Sequence, residues 1–181
     1  MKIETTPLAG VLIVTPRVFP DDRGCFKEIY NQQHYAAAGL TLPFVQANHS
    51  RSRQHVLRGL HFQTRKPQAK LVTCLRGCIF DVVVDLRRAA PTFGRHYALE
   101  LSDENHRQLF VPMGYAHGFC VLSDGADVVY QCSDYYDPAG EGGVLWSDPA
   151  LDIAWPIKCP VISTKDANLP TLDKISSSLA L

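Results

Sequence analysis

The sequence predicts an all-β fold, a sandwich or a barrel, and three observations predict it. Short runs of β-branched and aromatic residues recur along the chain. Gly, Pro, Asp and Asn punctuate them at intervals of roughly 8–12 residues. A single segment, 31–39, carries helix signals at both of its ends. A strand array closed in this way can hold a ligand in its mouth or lumen.

Val11 to Pro16 reads as a first strand and Phe26 to Tyr30 as a second, shorter one. In the helical segment Asn31 supplies a cap, Ala36-Ala37-Ala38 favour the helix and Gly39 ends it. Strands follow near 44–50, 56–62, 69–75 and 78–86, the last two separated by Arg76-Gly77, a hairpin signal. Further strands fit 96–101, 108–111, 117–122, 127–135, 143–146 and 153–155. The tail after Asp173 is Ser-rich and is expected to fray. The expectation is one domain over 1–175 and a disordered tail over 176–181.

The 181 residues suit one domain with a real core, and 46% hydrophobic with 20% charged residues is an ordinary globular balance. Eighteen basic residues match eighteen acidic ones, so no bulk field favours nucleic acid or an anionic membrane. An anionic ligand must therefore be caught by a few placed cations. No apolar run approaches a spanning helix and no signal segment opens the chain, so a cytoplasmic protein is expected. Of the six cysteines none forms a Cys-x-x-Cys pair, and most lie in strand-like apolar runs as small hydrophobes.

The stretch Leu57-Arg58-Gly59-Leu60-His61-Phe62-Gln63, with Lys70 seven residues on, is the most informative in the chain. It sets a guanidinium, an imidazole and an ammonium among apolar residues, where polar groups cost free energy unless paired or used. Nearby cations favour the neutral, proton-accepting form of His61. Alternation puts Arg58 and His61 on opposite faces, so both can line one cavity only if Gly59 allows a bulge. Alternation also groups Lys70 with Val72 and Cys74, and Tyr130 with Val128 and Cys132.

Longer motifs carry a resemblance. They include Phe19-Pro20-Asp21-Asp22-Arg23-Gly24-Cys25-Phe26-Lys27-Glu28, Gln46-Ala47-Asn48-His49-Ser50 and the 57–63 stretch with Lys70-Leu71-Val72. Pro91-Thr92-Phe93-Gly94, Pro112-Met113-Gly114-Tyr115-Ala116-His117-Gly118-Phe119 and Tyr130 follow. Tyr136-Asp137-Pro138, Glu141, Trp146-Ser147-Asp148-Pro149 and Ser163-Thr164-Lys165-Asp166 complete the set. In this order and spacing, from Phe19 to Leu172, the chain resembles the dTDP-4-dehydrorhamnose 3,5-epimerases. One departure is Ala90, where that family often has serine.

The resemblance implies a cupin-type jelly roll, or double-stranded β-helix, with short peripheral helices. It implies epimerisation at C3 and C5 of a dTDP-4-keto-6-deoxy sugar, without cofactor or metal. His61 would be the base, Asp166 would orient its imidazole, Lys70 would hold the developing oxyanion and Tyr130 would be the acid on the opposite face. Arg23 and Arg58, with Lys165, would bind the diphosphate. Glu28, Gln46, Asn48, His117 and Glu141 would contact substrate, and Tyr136 would stack on thymine. The family also implies a homodimer in which N-terminal strands carrying Arg23 and Glu28 complete the partner's site.

Residue by residue, plainer roles compete. Ser163 and Asp166 have the spacing of a helix capping box, with Asp166 reaching back to the cap. Lys70 could snorkel from an edge strand, and Tyr130 could be a strand tyrosine with a bonded hydroxyl. A metal-dependent cupin would use a His61/Gln63/His117 ligand set, against which Lys70 would repel a cation. A non-catalytic nucleotide-sugar binding module would need the arginines and Tyr136 alone. A C3-only epimerase would share the His, Asp, Lys and Tyr groups.

Overall fold

The structure, a computed structural model, describes residues 1–177 and residue 179. Two antiparallel sheets face each other. The six-stranded sheet runs, in spatial order, β1 (Lys2–Thr5), β2 (Leu12–Thr15), β10 (Gln108–Val111), β7 (Lys70–Arg76), β12 (Gly125–Cys132) and β5 (Gln46–Arg53). The five-stranded sheet runs β13 (Glu141–Gly143), β6 (Leu57–Gln63), β11 (Tyr115–Val121), β8 (Cys78–Asp85) and β9 (His96–Ser102). The chain passes repeatedly from one sheet to the other, the jelly-roll arrangement. Strands β3 (Val18–Asp21) and β4 (Gly24–Lys27) form a separate two-stranded hairpin. Among the described residues no helix is long and apolar enough to cross a membrane.

The main core lies between the sheets and includes Val72, Cys74, Val83, Phe119, Val121 and Val128. Alternate residues of the five-stranded sheet, Leu60, Val82, Val84 and Ala116, are buried on its other face beneath Val144, Leu151 and Leu172. Because both faces are covered, Val82, Val83 and Val84 are all fully buried in succession. Each such side chain contributes about 1.5–3 kcal/mol when taken from water. On the outer side of the six-stranded sheet, Val14, Leu71 and Phe110 meet Tyr35 of α1 (Gln32–Ala37). Asn31 caps that helix as expected, its side chain accepting from the amides of Gln33 and His34 at 3.0 and 3.2 Å.

Arg76-Gly77 does not form the expected hairpin. β7 is already flanked by β10 and β12, and β8 by β11 and β9, so neither has a free edge for the other. The dipeptide is a corner between sheets. The Gly77 and Cys78 amides donate to Asp103 Oδ2 at 3.0 Å and Ser123 Oγ at 2.8 Å instead of to a ladder. Gly77 has φ +80°, and a Cβ there would lie 2.2 Å from the Gly125 carbonyl oxygen, so glycine is required twice over.

Other differences follow from edges and cover. β1 and β3 were not expected: both are short, and their polar or exposed residues hide the pairing signal. The strand expected at 143–146 is three residues, Glu141–Gly143. None forms at 153–155, whose apolar residues instead lid the five-stranded sheet, Trp155 against Phe80 and Trp146. Beyond Asp173 the chain continues α3 (Leu172–Ser176), whose first amide donates to buried Asp148 at 2.6 Å. Leu179 is 7% exposed, and residues 178, 180 and 181 of the expected tail lie outside the described residues.

Candidate active site

The parity conflict between Arg58 and His61 is resolved at Gly59. His117 of β11 is opposite His61 and Phe119 is opposite Arg58, so β6 fits one extra residue into that interval. Gly59 has φ +121°, and a Cβ there would stand 2.6 Å from Gly118 Cα. A Cβ on Gly118 would stand 2.6 Å from the Arg58 carbonyl oxygen. Two glycines therefore let the backbones touch where the bulge forms. Arg58 and His61 then line one cavity of about 590 Å³, together with Lys70, His117, Tyr130, Glu141, Lys165 and Asp166.

His61 Nε2 lies 2.8 Å from Asp166 Oδ1. A carboxylate can only accept, so Nε2 carries the proton and Nδ1 keeps a lone pair. Asp166 Oδ2 accepts from the Gly59 amide at 3.1 Å, which fixes the carboxylate at both oxygens. Burial pushes the Asp166 carboxyl up, but the His61 contact and the Gly59 amide outweigh burial and hold it below its usual value. Asp166 lies on α2 (Thr164–Ala167), whose first turn is capped by Ser163 Oγ accepting from the Asp166 amide at 3.0 Å. Half of the capping box is thus present. Its other half is replaced, because the Asp166 side chain turns to β6.

Lys70 and Tyr130 come from neighbouring strands, with Cys132 opposite Lys70 and Val72 opposite Tyr130. Lys70 Nζ is 5.9 Å from the centroid of the Tyr130 ring. Among the described residues the Lys70 ammonium has no ion pair or hydrogen bond, and the Tyr130 hydroxyl has no hydrogen bond. Burial lowers the pKa of the Lys70 ammonium, against the pull of Cys132, Asp81 and Glu141. Burial likewise raises the Tyr130 phenol. An unpaired cation and an unbonded phenol, both sunk beside a dyad, are set to meet negative charge and to give up a proton.

His117 is 6% exposed, and its Nε2 meets both oxygens of the fully buried Asp81 at 3.0 and 2.9 Å. The sequence reading missed Asp81. Its signal was a carboxylate inside the apolar run Cys78-Ile79-Phe80-Asp81-Val82-Val83.

A narrower cleft of about 90 Å³ adjoins the cavity and shares His61, Lys70, Tyr130 and Glu141 with it. Gln46 and Asn48 line it, joined at 3.0 Å, and Gln46 Oε1 accepts from the Tyr136 amide at 2.9 Å. One oxygen of Glu141, Oε2, takes both the Tyr136 hydroxyl at 3.0 Å and Lys165 Nζ at 2.6 Å. Lys165 is thus partnered by a carboxylate here, not free for phosphate.

Arg23 and Glu28 are not brought to this cavity. Arg23 lies in the β3–β4 turn, with its side chain 89% exposed and paired to Asp21. Glu28 bonds His34 at 2.7 Å and Asn31 at 3.1 Å beside a separate concavity lined by Phe19 and Phe26.

Residues 5–174 match the family model described as dTDP-4-dehydrorhamnose 3,5-epimerase. A dTDP-4-dehydrorhamnose 3,5-epimerase of Shigella flexneri is 49% identical over 93% of this chain and 94% of its own. One of Salmonella typhimurium is 49% identical over 96% and 97%. The crystal structure of dTDP-6-deoxy-D-glucose-3,5-epimerase from Legionella pneumophila, in complex with dTDP-4-keto-L-rhamnose, superposes with a TM-score of 0.95. It is 44% identical and covers 98% of this chain and 95% of that one.

Proposed function

The chain belongs to the dTDP-4-dehydrorhamnose 3,5-epimerase family, and on that premise we propose how its cavity performs the reaction. The protein is an isomerase that converts dTDP-4-dehydro-6-deoxy-D-glucose to dTDP-4-dehydro-L-rhamnose. The observation that carries the mechanism is that the His61–Asp166 dyad shares one cavity with the half-buried Lys70 ammonium and Tyr130 hydroxyl, which have no hydrogen-bonded partner among the described residues.

Both C3 and C5 of the sugar carry hydrogens next to the C4 carbonyl. His61 Nδ1 takes one as a proton, and Asp166 stabilises the imidazolium that forms. The electron pair left on carbon delocalises to O4, where Lys70 meets the enolate charge. A donor so placed is typically worth roughly 3–4 kcal/mol. Tyr130 returns a proton to carbon from the opposite face and inverts the centre. The phenol is a weak acid, yet the enolate carbon is more basic, so the transfer runs downhill. Once His61 has released its proton to solvent and Tyr130 has regained one from it, repetition at the second carbon gives the L-sugar.

The diphosphate is assigned to Arg58, with Lys165 released from Glu141 to join it. Gln46, Asn48, His117 and Glu141 contact sugar and nucleoside, and Tyr136 stacks on thymine. The exposed β3–β4 hairpin, with Phe26 69% exposed beside Arg23, supports a homodimer in which each hairpin brings Arg23 and Glu28 to the partner's cavity. The domain is assigned to 1–175 and the enzyme to the cytoplasm, where its nucleotide-sugar substrate is soluble.

Incubation with the 4-keto substrate in deuterium oxide, followed by NMR, tests the reaction. Deuterium at both C3 and C5 with an L-sugar formed is the expected result. Label at C3 alone would replace it with a single epimerisation, and no label with binding retained would leave a binding module.

A further inference from the structure

β5 is an edge strand, paired with β12 alone. Alternation divides it cleanly: Ala47, His49, Arg51 and Arg53 are exposed, whereas Gln46, Asn48, Ser50 and Ser52 turn inward. A sandwich strand ordinarily offers apolar residues to the inside; this row is polar throughout, which suits a polar ligand better than a core. Gln46 and Asn48 already belong to the substrate cleft. The other end of the row has had no role so far.

Ser52 is the most buried of the four, 6% exposed. Its Oγ accepts a hydrogen bond of 3.0 Å from Arg58 Nε. Among the described residues this is the sole hydrogen bond of the Arg58 side chain. Arg58 lines the cavity and Ser52 does not. A guanidinium grips a phosphate through two parallel N–H bonds, and holding Nε leaves both terminal amino groups for them. An arginine without such a tether would lose its rotamer freedom at the moment of binding, and affinity would fall.

We propose that Ser52 is a positioning residue for the substrate's diphosphate, its buried hydroxyl fixing the Arg58 guanidinium with the open end toward the cavity. The inference rests on the reading of Arg58 as the phosphate ligand. Calorimetric titration with dTDP and with thymidine, which has no phosphate, separates the two. Ser52→Ala should weaken dTDP roughly tenfold, the worth of one hydrogen bond. Ser52→Thr, which keeps the hydroxyl, should restore affinity, and Ser52→Ala should add nothing to Arg58→Ala. Thymidine affinity should not change, the melting temperature should fall by no more than the few degrees that one hydrogen bond is worth, and in turnover KM should rise while kcat holds. If Arg58→Ala weakens dTDP and Ser52→Ala does not, or if Ser52→Ala weakens thymidine equally, the positioning role is overturned and the reading of Arg58 stands. If Arg58→Ala itself leaves dTDP binding intact, the reading of Arg58 falls and takes the positioning role with it.

Discussion

His61 and His117 stand directly opposite each other on neighbouring strands, and each turns its Nε2 to a carboxylate. Access separates the two dyads. The His117 and Asp81 side chains are 7% and 0% exposed, whereas the His61 side chain is 30% exposed to the cavity. That difference in access supports the proposal of His61 as the base, with His117 held by Asp81 in the cavity wall. Replacing His61 by Ala should lower exchange of the C3 and C5 hydrogens by about 10²–10⁴-fold. Binding of dTDP should be unchanged. Exchange persisting above a few per cent of wild type would remove His61 from that role.

Asp166→Asn keeps the shape of the dyad and removes its charge. The kcat should fall by about 10²–10⁴-fold with little change in KM, as expected for a group that stabilises the imidazolium. A stability effect accompanies it. The Asp166 pKa is depressed in the folded state, so its contribution is complete above the unfolded carboxylate value and is lost as pH falls through the folded one. Urea melts of the two proteins should differ at neutral pH and converge in acid; a gap that widens in acid would refute this sign.

Lys70 points the other way. Its charge is disfavoured by burial, so the folded state carries a cost below its lowered pKa. Lys70→Met should raise the melting temperature at neutral pH by a few degrees and lower kcat by about 10²–10³-fold. The stability gain should vanish as pH climbs past the ordinary lysine value, where the unfolded chain also holds a neutral amine. A variant both inactive and less stable at neutral pH would mean that Lys70 is structural.

Tyr130→Phe removes one acid and leaves the base. Deuterium exchange should outlast net epimerisation, because abstraction and return on the His61 face continue. Equal loss of both signals would assign Tyr130 to ordering the cavity.

The hairpin carrying Arg23 gives a mixing test. Arg23→Ala and His61→Ala chains should each be severely impaired alone. Refolded together, about half of the dimers are mixed and each holds one intact site, so activity should return to about a quarter of wild type. No recovery, or a monomer by light scattering with full activity, would end the shared-site proposal.

Much of this was legible in the sequence where side chains alternate or cap locally. The Gly59 bulge followed from the parity of Arg58 and His61, and the first helix from Asn31 and Gly39. What was not legible depends on partners distant in sequence. Arg76-Gly77 reads as a hairpin because nothing local reveals that β7 and β8 are each paired elsewhere. Ser163 and Asp166 read as a capping box because the donor that competes for the Asp166 carboxylate, His61, is distant in sequence. Trp155 reads as strand because burial, not backbone pairing, selects it.

The His61–Asp166 contact joins positions 105 residues apart. During synthesis, most of both sheets can emerge before the carboxylate that completes the dyad does. A chain stopped short of α2 would hold the imidazole, the ammonium and the phenol, yet lack the group that makes the imidazole a competent base. On the proposed mechanism, chemical competence therefore arrives late in translation, and catalysis itself reports that the chain has been read through α2.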